Sequence, residues 1–216
     1  YTHQIALDTV GNNITNLNTD GYTRQRTNIV ETPSEYIMGG KGYMAIGTGA
    51  VTDSIERLRD ELIDAQVRRG SSPLGYSNIK QDTLGKIEDV FQEPSDTGFQ
   101  TALDNFWNAL QQLSTKGSDE GSRSVVRQRG IELVDAIGRA ANQLKDIQKD
   151  AVSSLNTKVQ SMNQYLTELA AVNKQILASP AGESNALKDQ RDLLLEKIAV
   201  MAPIQVTQET AGNVLV

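Results

Sequence analysis

Few residues in this chain are of types that could do chemistry, and their spacing limits what each can do. His3 is the single histidine. Acid–base or nucleophilic catalysis of the Ser–His–Asp kind would have to run through it. It sits on a short helix that is marginal by itself, which points to a surface or helix-contact histidine. Asp189 and Asp192 lie three apart with Arg191 between them, so one helix face carries both carboxylates. Paired acids can hold an oxygen-loving cation, but Arg191 and Lys188 beside them point to salt bridges instead. Asn18-Thr19-Asp20-Gly21 has the opening residues of a calcium loop without the later ligands or the closing glutamate. Gly39 to Gly49 is glycine-rich but lacks the Gly-Lys-Ser/Thr ending of a phosphate loop. The chain has no cysteine, so disulfides, thiolate metal sites and cysteine nucleophiles are excluded, and no zinc ligand set can be assembled. The sequence therefore supports no catalytic residue, no metal and no cofactor.

Charge and composition narrow the partners. The net charge of −6 opposes phosphate binding, which needs clustered cations. Arg57, Arg59, Arg68 and Arg69 do gather, but Glu56, Asp60, Glu61 and Asp64 interleave with them, which reads as a solvated, mixed-sign helix face. Neither nucleic acid nor membrane is expected as a partner. No apolar run approaches the ~18 residues of a membrane span, and no charged-then-apolar leader is visible. The chain opens at Tyr1 without Met, already inside a helical pattern, and reads as a trimmed piece.

The elements that must position these residues follow from the periodicity. Leu7, Val10, Ile14 and Leu17 form one apolar stripe of an amphipathic helix. Asparagines and Gly11 surround it, so the helix should end near Asn18, with Thr19-Asp20-Gly21 as a turn. Gly21 is expected at positive φ there. So short a helix is marginal without packing, and residues before about Thr23 are expected to order only against a neighbouring surface. Between residues 22 and 56, Pro33 and five glycines forbid a long helix, while Thr27–Val30 and Ala50–Ile55 read as short strands. Helices resume at about Arg57. Ser72 as N-cap with Pro73 behind it predicts a restart, and Glu93-Pro94 followed by Ser95-Asp96-Thr97 predicts another. From Val134 to Ile176 apolar residues recur at a mean of 3.5 positions over 12 steps. That heptad period predicts a helix from about Ser122 to Ala178 wound along others, roughly 85 Å long at 1.5 Å per residue. Pro180 and Gly182 end it, Ser184 caps a last helix reaching about Met201, and Ile204–Val216 reads as a hairpin around Ala211-Gly212-Asn213. The expected fold is mainly α: an elongated bundle of long antiparallel heptad-patterned helices, an extended glycine-rich connecting region, and the start of a β domain. Its expected divisions are residues 1–21, 22–56, 57–201 and 202–216.

Four ordered stretches carry a resemblance. Gly11-Asn12-Asn13-Ile14-Thr15-Asn16-Leu17-Asn18-Thr19-Asp20-Gly21-Tyr22-Thr23-Arg24 resembles the opening signature of flagellar rod, hook and hook-associated proteins. Gly47-Thr48-Gly49-Ala50-Val51 with Ile55-Glu56-Arg57, then Phe91-Gln92-Glu93-Pro94-Ser95-Asp96 with Leu103-Asp104-Asn105-Phe106-Trp107, resemble the hook-associated branch. Asn185-Ala186-Leu187-Lys188-Asp189-Gln190-Arg191-Asp192 adds a fourth match. The resemblance implies a structural subunit that joins hook to filament by self-assembly, with no enzymatic activity. It implies export through the flagellar type III apparatus without a cleaved signal peptide, and an extracellular place on the flagellum. The implied partners are copies of itself in a ring, hook protein, the neighbouring hook-associated protein towards the filament, and a cytoplasmic export chaperone. The implied assembly interface is Leu7, Val10, Gly11, Asn12, Asn13, Ile14, Asn16, Asn18, Thr19, Gly21, Tyr22 and Arg24. Two other readings remain: a sibling axial protein of rod or hook type, and a cytoplasmic coiled-coil scaffold. The scaffold accounts for the heptads but not for the Gly/Asn opening.

Overall fold

The computed structural model describes residues 1–39, 42–91, 98–115, 117–179, 184–208 and 214–215. The predicted N-cap at Ser95-Asp96-Thr97, the helix end at Pro180 and Gly182, and the turn at Ala211-Gly212-Asn213 lie outside these residues. Among the described residues the fold is mainly α. The helices are α1 (Thr2–Thr15), α2 (Glu61–Phe91), α3 (Phe99–Thr115), α4 (Glu120–Ala178) and α5 (Asn185–Met201). Three antiparallel two-stranded sheets accompany them. They pair β1 (Gln25–Glu31) with β4 (Ala50–Arg57), β2 (Glu35–Gly39) with β3 (Gly42–Ile46), and β5 (Thr207–Gln208) with β6 (Val214–Leu215). The chain divides into two compact units, Tyr1–Leu74 with Ser161–Val216, and Gly75–Gln160.

Helix boundaries follow local chemistry. Asp60 starts α2, its carboxylate accepting the free amides of Leu62 and Ile63, so the helix begins at Glu61 and not near Arg57, which closes β4. The predicted restart at Ser72 does not occur: α2 runs unbroken for 31 residues with Pro73 inside it. Proline there removes one backbone donor, a loss the continuing turns on both sides tolerate. Asp119 starts α4 by accepting both the amide and the hydroxyl of Ser122. The predicted long helix is present as 59 residues. Ala202 ends α5 in an extended conformation, as a residue before proline must. Ser184 stands at the N-cap of α5 without a side-chain bond to it.

The core of the first unit joins Leu169, Val172 and Ile176 of α4 to Leu194, Leu195 and Ile198 of α5 and Val214 of β6. The last three positions of the heptad seam are therefore buried, while Leu166 before them stays exposed. Further back along α4, Val134, Ile137, Leu155 and Val159 are exposed. In the second unit the ring of Phe106 lies over Gly130, where an added Cβ would sit 3.4 Å from it. Phe91 and Phe99 meet edge to face with centroids 6.3 Å apart.

Candidate functional site

The opening motif folds into a helix whose two faces are reversed from the usual arrangement. A helix on a protein body normally turns apolar side chains inward. Here Leu7, Val10, Ile14 and Leu17 point outward, between 52% and 80% exposed. The inward face of α1, which also carries the half-buried Ile5 and Ala6, is hydrogen-bonded to the β1–β4 hairpin. The Thr2 hydroxyl donates to the carbonyl of Ala50 at 2.8 Å. Thr27 donates to the buried hydroxyl of Thr9 at 3.0 Å. The Asn13 amide pairs with the backbone of Gln25 at both ends, Nδ2 donating to its carbonyl and Oδ1 accepting its N–H, each at 2.8 Å. The same Oδ1 accepts the Tyr22 hydroxyl at 2.8 Å. Partial burial, and then the negative charge of Asp189, raise the Tyr22 hydroxyl above its ordinary pKa, so it stays a donor. Counting only the apolar stripe of α1, as sequence periodicity does, leaves out these bonds.

The predicted interface residues thus separate into two groups. Leu7, Val10, Gly11, Asn12, Ile14, Asn18, Thr19 and Arg24 are exposed. Asn16 is half-buried and bonds back to Asn12, whose side chain lies 2.6 Å away. Asn13, Gly21 and Tyr22 face inward and make contacts within the chain. Gly21 has φ +79°, as expected. It also lies against α5: an added Cβ would stand 3.1 Å from Cβ and Cδ2 of Leu193. The motif glycine therefore serves packing between distant segments as well as a turn.

Behind Gly21 lies an ionic cluster. Arg57, 13% exposed, divides its guanidinium between Asp189 at 2.9 Å and Asp192 at 2.6 Å, which are 9% and 8% exposed. The second oxygen of Asp189 accepts the backbone N–H of Thr23 at 3.2 Å. Arg59 bonds Asp64 and Glu196 and lies 3.7 Å from Asp192. Burial works against the charge of Arg59, but the bonds to Asp64 and Glu196 and the charge of Asp192 outweigh it and raise its pKa. Arg191 lies 3.2 Å from Asp192. One turn earlier on α5, the Asn185 amide donates to the carbonyl of Ile55 at 2.8 Å.

This cluster corrects the reading of Arg57 and Arg59 as a solvated helix face. They lie on a strand end and the residues after it, and are largely buried. The salt bridges expected of Asp189 and Asp192 are present, with a strand arginine as the main partner. One signal in the sequence marks the arrangement: Ile55 and Arg57 share a strand face, and an arginine alternating with an inward isoleucine needs an acid behind it. Because its carboxylates are occupied by guanidinium groups, the cluster offers a cation no free ligand set. No group of three or more potential metal ligands occurs among the described residues, and no helix there is long and apolar enough to cross a membrane. A cavity of about 150 Å³ is lined by Arg57, Asp64, Arg68, Arg191 and Asp192 together with Leu195, Val206 and Val214.

Comparison with known proteins bears on this arrangement. Residues 84–216 match the family model of the flagellar hook-associated protein FlgK helical domain. Residues 2–23 match the flagella basal body rod protein model. The chain is 38% identical over 215 residues to flagellar hook-associated protein 1 of Bacillus subtilis strain 168, covering 97% of this chain and 42% of that protein. It is 29% identical to the protein of the same name in Salmonella typhimurium and 27% identical to that in Escherichia coli K12, each time over 97% of this chain and 38% of the relative. The chain thus spans about two fifths of the length of these relatives.

Proposed function

The chain belongs to the flagellar hook-associated protein FlgK helical-domain family, and from that premise we propose that it works as a structural subunit joining hook to filament. Its curated relatives carry the name of hook-associated protein 1. One observation carries the assembly role: the outward apolar stripe of α1. Leu7, Val10 and Ile14 of α1, with Leu17 in the turn just beyond it, make a short coiled-coil seam that no described residue covers. The polar bonds underneath leave that seam free for another helix of the flagellar assembly. The partners are copies of this chain in a ring, hook protein, the next hook-associated protein towards the filament, and an export chaperone before assembly. The place of action is the extracellular flagellum, and no catalytic step is involved.

In this reading Leu7, Val10, Gly11 and Ile14 make contacts between helices. Asn13, Gly21 and Tyr22 set the angle at which α1 is held. The test is a Leu7→Glu, Ile14→Glu variant expressed in place of the natural protein. Cells should build hooks, lack filaments and release filament subunits into the medium, while the purified variant melts as the parent does. Normal swimming by that variant would refute the assembly role of the stripe. A sibling axial protein of rod type is favoured only by the match of residues 2–23, which is confined to the opening segment. Immunolabel along the rod instead of at the hook–filament boundary would favour it.

A further inference from the structure

The first unit is joined in two different ways. Apolar side chains of α5 pack against α4 and β6. On the side facing the hairpin, the contacts are mostly hydrogen bonds and ion pairs, and they follow a register. Ile55 meets Asn185, Arg57 meets Asp189 and Asp192, and Arg59 meets Glu196. Two residues of strand advance about 6.7 Å and four of helix about 6 Å, so alternate residues running out of β4 meet successive turns of α5. Asp189 holds both ends of the hairpin base, since it takes Arg57 with one oxygen and the N–H of Thr23 with the other. Gln25 and Arg57 are paired across the two strands. From that base, Asn13, Thr9 and Thr2 carry α1.

We propose that Arg57 is a positioning residue: its fork across Asp189 and Asp192 locks the β1–β4 hairpin at one register on α5 and thereby fixes the direction in which α1 presents its apolar stripe. A guanidinium split between carboxylates one helical turn apart is satisfied at a single offset of strand along helix. Oily packing would tolerate sliding, whereas a fork does not. The lock itself stands on these contacts alone. Its consequence for assembly rests on the proposed role of the α1 stripe.

Hydrogen exchange on the full chain, resolved by peptide, tests the lock. In Arg57→Met, amides of residues 2–31 should exchange at least tenfold faster, while those of 164–178 and 190–200 keep the parental rates. Arg57→Lys, a point charge without the fork, should fall between. A double variant, Arg57→Met with Asp189→Asn, leaves no uncompensated charge: Asp192 keeps Arg191 and Arg59 beside it, the new amide oxygen can still accept the Thr23 N–H, and the melting temperature lost in Arg57→Met should be regained. Residues 2–31 should nevertheless stay fast in it. If their protection returns together with stability, or if all segments loosen equally in Arg57→Met, Arg57 is a stabiliser only and the proposal is overturned. The same double variant in cells separates the two ideas. Fast exchange with normal filaments leaves the lock standing and refutes the assembly role of α1; fast exchange with bare hooks supports both.

Discussion

Replacing Gly21 with alanine gives a sharp measure of how tightly the motif turn is held against α5. The backbone there has φ +79°, and an L side chain in that region costs about 1–2 kcal/mol. The new Cβ would meet two carbons of Leu193 at 3.1 Å. Leu193 must then give by a few tenths of an ångström, which adds about 1 kcal/mol of overpacking. The alanine chain loses some freedom when unfolded, which returns about 0.4–1 kcal/mol. The net expectation is a loss of about 1–2.5 kcal/mol, or a fall in Tm of roughly 2–10 °C for a chain of this size. Urea denaturation followed by far-ultraviolet circular dichroism reads it directly. Gly11→Ala is the matched control: it lies inside α1 with nothing within 4 Å of an added Cβ, so it should gain about 0.5–1 kcal/mol. An opening segment that orders only against a neighbouring surface, as the sequence suggests for residues before about Thr23, would leave the helical part untouched by changes at Gly21. A Gly21→Ala protein as stable as the parent would restore that view and refute the contact with Leu193.

Other perturbations probe separate parts of the argument. Asn13→Ala strands the N–H and carbonyl of Gln25 and the Tyr22 hydroxyl, and should cost about 1–3 kcal/mol in chemical denaturation. Leu195→Ala, at a side chain 1% exposed, should cost about 2–5 kcal/mol by the same assay. Asp119 is held below its ordinary pKa by Ser122, first by the hydroxyl and then by the backbone N–H. A lowered carboxylate adds stability that is fully present above its unfolded pKa of ~3.9 and is lost as pH falls through the folded value. The stability gap between parent and Asp119→Ala should therefore be constant from pH 7 to 5 and close below pH 4. Calorimetric titration with calcium or zinc should give no stoichiometric heat, because Arg57 and Arg59 already occupy the carboxylates of the cluster.

What the sequence made legible depended on how far apart the interacting residues lie. The seam from Val134 to Ile176 is a local period, and it specified α4 to within a few residues. Thr27–Val30 and Ala50–Ile55 were readable as strands because β-branched residues crowd there. Pro73 misled, since Ser72-Pro73 looks alike at an N-cap and inside a continuous helix. The β2–β3 hairpin was hidden by its glycines, which suggest irregular chain as readily as a ribbon. In the candidate site, the outward stripe of α1 was visible as a period, but its inward polar face was not. Asn13 finds its partner 12 residues on, and Arg57 finds Asp189 across 132. Charges that look solvated in sequence become buried once chain segments that distant meet.

That separation also sets an order of events. Closing a loop costs about (3/2)RT ln n, so joining Arg57 to Asp189 opposes folding by about 3 kcal/mol more than closing a five-residue turn. Ribosomes add about 5–20 residues per second, so Arg57 waits some 7–27 s before Asp192 exists. Through that interval the hairpin has neither anchor on α5. Contacts of such long range also slow folding after synthesis. The register of the hairpin on α5 is therefore set late, although the local bonds of α1 to the hairpin can form early.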